Sequence, residues 1–226
     1  MKKSRQVMLA EPVLGSREKE AVARVLEEGW LTMGPRVRAF EEAFARMHGR
    51  DDALATSSCT AALHLALAAF DIGPGDEVLV PSLTFVATAN AVRYLGARPV
   101  FVDIESPMRP WISLADAERK LSVRTKAVIV VHYAGYVADM RAWRAFADAY
   151  GLWLVEDAAH APESAGKDGL ADASAYSFFS NKNMTTAEGG MLLMRDPERL
   201  ARARCMRSHG MTTLTWDRHQ GHAYSY

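Results

Sequence analysis

The spacing of apolar side chains divides this chain into helical and strand-like stretches. From Ser16 to Glu28, Val22, Val25 and Leu26 fall on one face of a 3.6-residue repeat; from Pro35 to Met47, Val37, Phe40 and Phe44 do the same. Gly29 and Gly49 follow these runs where a helix would stop. Beyond them, short β-type runs alternate with helical segments. Seven candidate strands are Ala53 to Thr56, Glu77 to Val80, Pro99 to Val102, Ala127 to Val131, Trp153 to Glu156, Ala175 to Phe179 and Met191 to Met194. Helical stretches over Thr60 to Phe70, Thr84 to Leu95 and Met140 to Tyr150 are long enough to be crossovers between parallel strands. The pattern predicts an α/β fold, a mostly parallel, doubly wound, seven-stranded sheet with helices on both faces. The loop between the last two strands is too short for a helix, so one of that pair is expected to run antiparallel. One domain is expected over residues 1–208, with 209–226 as a connecting segment.

Composition narrows the class of partner. The chain has 226 residues, 49% hydrophobic and 24% charged, enough to bury a core. Its 27 basic and 27 acidic residues cancel, so no overall field draws it to nucleic acid or an anionic membrane, and a small-molecule partner is expected. Cys59 and Cys205 form no disulfide-dense or C-x-x-C pattern, which points to a reducing compartment, the cytoplasm. Lys2, Lys3 and Arg5 are not followed by an apolar run of signal-peptide length, and no stretch is apolar enough to span a bilayer core of roughly 30 Å.

Open α/β sheets bind ligands at the carboxyl ends of their strands, and four groups of polar or aromatic residues fall there. Ser57-Ser58-Cys59-Thr60 leads from the first strand into a helix and offers free amides to a phosphate, or serves simply as an N-cap. Phe85, after the second strand, suits stacking on a planar ligand or plain core packing. Glu156-Asp157-Ala158-Ala159-His160 ends the fifth strand with two carboxylates that need a cationic partner. Lys182 lies in the polar loop after the sixth strand, where a solvated lysine is the plain alternative. Together these positions offer a phosphate cradle, a ring stack, a partner for a ring nitrogen and an amine, which is what pyridoxal 5′-phosphate (PLP) requires. No His-x-x-x-His or Cys cluster completes a metal set, so no metal is expected, and no G-x-G-x-x-G follows a strand as a nicotinamide enzyme would have it.

Five segments carry a family resemblance: Ser58 to Leu63, Gly73 to Val78, Pro81 to Phe85, Glu156 to His160, and the run Lys182-Asn183-Met184-Thr185-Thr186-Ala187-Glu188-Gly189-Gly190. In order and spacing the chain resembles the DegT/DnrJ/StrS family of sugar aminotransferases from about Pro12 onward. The resemblance implies the large domain of the aspartate aminotransferase superfamily fold and a homodimer. It implies transfer of an amino group from an amino acid, glutamate, to a keto-sugar nucleotide, in a pathway to a surface polysaccharide or a secondary metabolite. Lys182 matches the lysine that forms a Schiff base with PLP, and Asp157 the partner of the pyridine nitrogen. His160 matches a residue beside the ring and Phe85 the aromatic stacked on it, while Ser58, Cys59, Thr60 and Ser177 match positions around the phosphate. Lys182 argues against the related sugar dehydratases, which carry histidine there. Many members have glycine where this chain has Cys59. Members also continue beyond the position of Tyr226 into a smaller C-terminal domain, so the resemblance implies a truncated chain. It leaves open a non-catalytic or regulatory paralogue that binds PLP weakly or dimerises.

Overall fold

The computed structural model describes residues 10–213 and 215–221. The basic residues Lys2, Lys3 and Arg5 and the final residues 222–226 lie outside that range. Along the chain, α1 (Ser16–Glu28) and α2 (Pro35–Met47) precede β1 (Leu54–Thr56), α3 (Cys59–Ala69), β2 (Glu77–Pro81), α4 (Val86–Tyr94) and β3 (Arg98–Val102). A hairpin of β4 (Ile104–Ser106) and β5 (Arg109–Ile112) leads to α5 (Leu114–Arg119), β6 (Thr125–Val131), α6 (Met140–Tyr150) and β7 (Trp153–Asp157). The last elements are β8 (Ala173–Ser177), β9 (Gly190–Met194), α7 (Pro197–Arg207) and α8 (Thr215–His219).

All seven expected strands join one sheet, in the order β1-β9-β8-β7-β6-β2-β3. The β3, β2, β6, β7 and β8 ladder is parallel throughout, and β9 runs antiparallel to both β8 and β1, as the short loop before it requires. Successive strand residues point to opposite faces, and both faces are covered. Val78, Val80, Ala127, Ile129, Val155 and Ala175 pack with α3, α4 and α7 on one side. Leu79, Val128, Val130 and Leu154 pack with α5 and α6 on the other, where Tyr176, Met191 and Leu193 meet α2. Each fully buried aliphatic side chain among them contributes about 1.5–3 kcal/mol of transfer free energy.

Local chemistry sets the element ends. Asp139 caps α6 through the amides of Arg141 and Ala142, and Gly151 closes it in a left-handed conformation. The strand expected over Ala175 to Phe179 is displaced two residues toward the N-terminus. Phe178 leaves the ladder, donating its amide to Gly189 and burying its ring against Phe40 and Phe44. Periodicity marks neither the hairpin nor α7. In α7, only Leu200 and Ala203 are buried, and its attachment is ionic: Arg204 pairs with Asp52 and Glu41, and Arg207 with Glu41 at 2.6 Å. After Ser208 the chain folds back, with the Trp216 ring of α8 4.7 Å from that of Trp30. Among the described residues no helix is long and apolar enough to cross a membrane.

Gly190 marks a tight contact with backbone near the carboxyl edge. It pairs with Thr56 of β1 and Ser177 of β8, directly beneath the start of α3. A Cβ there would lie 2.5 Å from the carbonyl carbon of Ser58 and 2.6 Å from the amide nitrogen of Cys59, backbone atoms that cannot swing aside. Gly190→Ala is therefore expected to lower unfolding free energy by roughly 1–3 kcal/mol. Urea denaturation followed by circular dichroism measures this, and wild-type stability would show that α3 can retreat from β9.

Candidate active site

Where β1, β2, β7 and β8 end, a cleft of about 610 Å³ opens between the starts of α3 and α4 and the loop before β9. The eight residues singled out in the sequence, Ser58, Cys59, Thr60, Phe85, Asp157, His160, Ser177 and Lys182, all line it. Chain segments up to 124 residues apart meet here because parallel strands deliver their carboxyl ends to one edge.

One wall is the N-terminus of α3. Ser58 is its N-cap in extended conformation, its Oγ accepting from the amide of Ala61 at 3.1 Å. The capping reading of Ser58 is thus correct, and its hydroxyl proton is still free to be donated. The amides of Cys59 and Thr60 find no acceptor among the described residues. With the helix dipole behind them, they make this wall suited to an anion.

The two carboxylates at the end of β7 part company, because adjacent strand residues face opposite sides of the sheet. Glu156 turns to the α5–α6 side and is fully buried, accepting from Ser174 Oγ and from His132 Nε2 at 3.0 Å. His132 Nδ1 accepts the Ala138 amide at 3.2 Å, which leaves Nε2 as the nitrogen that donates to Glu156. Asp157 turns to the α3–α4 side and lines the cleft. Its Oδ2 accepts from Thr88 Oγ1 at 2.7 Å, and its Oδ1 from the Ala159 amide at 3.2 Å and, more weakly, from Cys59 Sγ at 3.8 Å. All three donors are neutral. Burial first and the Asp157 charge second push the Cys59 thiol well up, which keeps it in the S–H form that can donate.

Lys182 stands on a loop tied down by the Phe178 carbonyl, which accepts from the Thr186 amide at 2.9 Å and from Thr185 Oγ1 at 3.1 Å. Partial burial lowers the Lys182 pKa, and the negative charge of Asp157 opposes that effect. His160 is likewise lowered by burial, then by Lys182, with Asp157 opposing. Its Nδ1 accepts the amide of Ala134, a residue held at φ 53° in the turn that carries Tyr133. The Phe85 ring stands 75% exposed at the rim of the cleft.

Sequence reasoning did not single out Thr84, Thr88, Tyr133, Asn181 or Glu188. All but Thr88 line the cleft, and Thr88 reaches it through Asp157. The available signal was the i, i+4 spacing of Thr84 and Thr88, which puts two hydroxyls on one side of the α4 start.

The depressed pKa of Lys182 has a direct test in cofactor-free protein. An amine-selective reagent, with peptide mapping across pH, is expected to label Lys182 with a midpoint below the ~10.4 of an ordinary lysine. Asp157→Asn removes a charge that raises this pKa and is expected to move the midpoint lower still. A midpoint that stays put or rises would show that Asp157 does not act on the Lys182 amine.

The sequence signature of the DegT/DnrJ/EryC1/StrS aminotransferases matches residues 12–226. The chain is 43% identical over 219 residues to the spore coat polysaccharide biosynthesis protein SpsC of Bacillus subtilis (strain 168), covering 95% of this chain and 56% of SpsC. Among solved structures it is similar to an aminotransferase, TlmJ, from Streptoalloteichus hindustanus, with a TM-score of 0.88 at 37% identity over 97% of this chain and 60% of that one. It is also similar to Spr1654 from Streptococcus pneumoniae in its PLP form, with a TM-score of 0.83 at 28% identity over 98% of this chain and 61% of that one. The chain thus spans little more than half the length of these relatives. Signature, sequence and fold agree, and the chain belongs to the DegT/DnrJ/EryC1/StrS aminotransferase family.

Proposed function

We propose that the cleft binds PLP and that the activity it serves is transfer of an amino group from an amino acid, glutamate, to a keto-sugar nucleotide. The observation that carries this reading is the meeting, in one cleft, of three features: a lysine of lowered pKa, a carboxylate held by neutral donors alone, and a helix N-terminus with two unpartnered amides. PLP has an aldehyde, a basic ring nitrogen and a phosphate, and each finds its chemical complement among these three. The similarity to Spr1654 in its PLP form supports the cofactor, and the family together with SpsC supports a sugar substrate.

When bound, PLP supplies an electron sink for charge developing at the substrate carbon. The residues supply the rest. Lys182 would hold the cofactor covalently; once released, its amine would hold and move the proton at the substrate carbon, favoured by a lowered pKa and by proximity. Asp157 would face the ring nitrogen and favour its protonated form. The Cys59 and Thr60 amides with the Ser58 and Ser177 hydroxyls would hold the phosphate. Phe85 would cover one face of the ring and His160 would lie beside it.

Residues 1–208 would form the PLP-binding large domain, with 209–226 leading out of it. A homodimer fits the apolar rim of the cleft, where Phe85, Val86 and Phe179 stand 75%, 57% and 43% exposed.

Borohydride reduction in the presence of PLP, followed by peptide mapping, is expected to label Lys182; label on Lys167 instead would overturn the assignment. The pair at the end of β7 gives a second test. Asp157→Ala is expected to lose PLP retention and at least about a hundredfold in transamination, while Glu156→Gln, whose side chain faces away, keeps both within about threefold. Equal losses would mean that the two carboxylates do not divide between the faces as the structure has them.

A further inference from the structure

Resting on the PLP reading, we propose that Thr88, with Thr84 behind it, is a positioning residue that directs the Asp157 carboxylate at the cofactor ring. Thr88 is fully buried on the first turn of α4, and its Oγ1 lies 2.7 Å from Asp157 Oδ2 and 2.7 Å from Thr84 Oγ1. A carboxylate can only accept, so the Thr88 proton goes to Asp157. Thr88 then has only lone pairs for Thr84, so the Thr84 proton goes to Thr88. Both hydroxyl protons point one way, along a relay that ends on Oδ2, and such chains polarise each bond in turn.

The same count says which part of Asp157 is left for a ligand. An ionised carboxylate has about four acceptor positions. On Oδ1 two are taken, by the Ala159 amide and the Cys59 thiol; on Oδ2 one is taken, by Thr88. The remaining position on Oδ2 is the one open to a cationic N–H, and Thr88 holds that oxygen in place. No arginine or lysine pairs with Asp157 among the described residues, so orientation here depends on the hydroxyl relay. Thr84 lines the cleft while Thr88 sits behind it, which joins the start of α4 to the end of β7 through hydrogen bonds that no backbone ladder provides.

The test uses the full 226-residue protein, stripped of cofactor and titrated with PLP, read by its visible absorption band across pH and by the dissociation constant. Thr88→Val keeps the shape but removes the donor, and is expected to weaken PLP binding about tenfold or more and to shift the pH profile of the band. Thr88→Ser restores the hydroxyl and is expected to stay within about threefold of wild type with an unshifted profile, a rescue that a packing role would not produce. Thr84→Val, at the less buried end of the relay, is expected to weaken binding about threefold, and it carries the test if Thr88→Val does not fold. A wild-type band and dissociation constant in Thr88→Val, or in Thr84→Val where that variant stands in, would overturn the relay while leaving the PLP reading intact. No PLP band in the wild-type protein at all would overturn the PLP reading, and the relay with it.

Discussion

Burial of the sheet on both faces is the constraint from which the site follows. Seven strands covered by α3, α4 and α7 on one side and by α2, α5 and α6 on the other leave little room for polar side chains along their length, and Glu156 and Ser174, which lie there, are hydrogen-bonded to each other. Polar groups that must meet solvent or a ligand find room where strands end, and the parallel ladder gathers those ends on one edge. Ser58, Asp157, Ser177 and Lys182 all sit just where an apolar run stops. A closely packed scaffold beneath them, with Gly190 pressed against the backbone of Ser58 and Cys59, limits how far the α3 wall of the cleft can move.

Within the cleft the electrostatics are set by burial opposed by one charge. Burial depresses the amine of Lys182 and the imidazole of His160, and in both cases Asp157 works against it. The same carboxylate, with burial, keeps the Cys59 thiol protonated. One acidic group thus biases an amine, an imidazole and a thiol at once, while a second, Glu156, is walled off by the sheet and spent on His132 and Ser174. Asp157 is hydrogen-bonded by neutral donors rather than by an arginine, so no cationic side chain occupies its acceptor positions among the described residues.

Much of this was legible in the residues themselves. Short β-type runs and crossover-length helices were enough for the α/β class, the seven strands and the antiparallel β9, because those features depend on local pattern and loop length. The eight cleft residues were legible from their places at strand ends together with the family motifs. What escaped was structure stabilised by distant partners. The α7 helix has too few apolar positions to show a face, and it is held by Arg204 and Arg207 reaching Glu41 and Asp52 across more than 150 residues of chain. The hairpin of β4 and β5 lacks alternation, and β8 ends early because Phe178 is drawn into the aromatic cluster around Phe40 and Phe44.

The roles of neighbours divide along the same line. The sequence alone determined that two carboxylates end one strand and that two threonines stand four apart at the head of a helix, since both are statements about spacing. Only the tertiary structure decided that Asp157 faces the cleft and Glu156 does not, that Thr88 donates to Asp157, and that Cys59 lies against the same oxygen as the Ala159 amide. The physical reason is that hydrogen bonds and desolvation act over a few ångströms between side chains distant in sequence. Their partners exist only once the strands have paired and α3 and α4 have closed over the sheet.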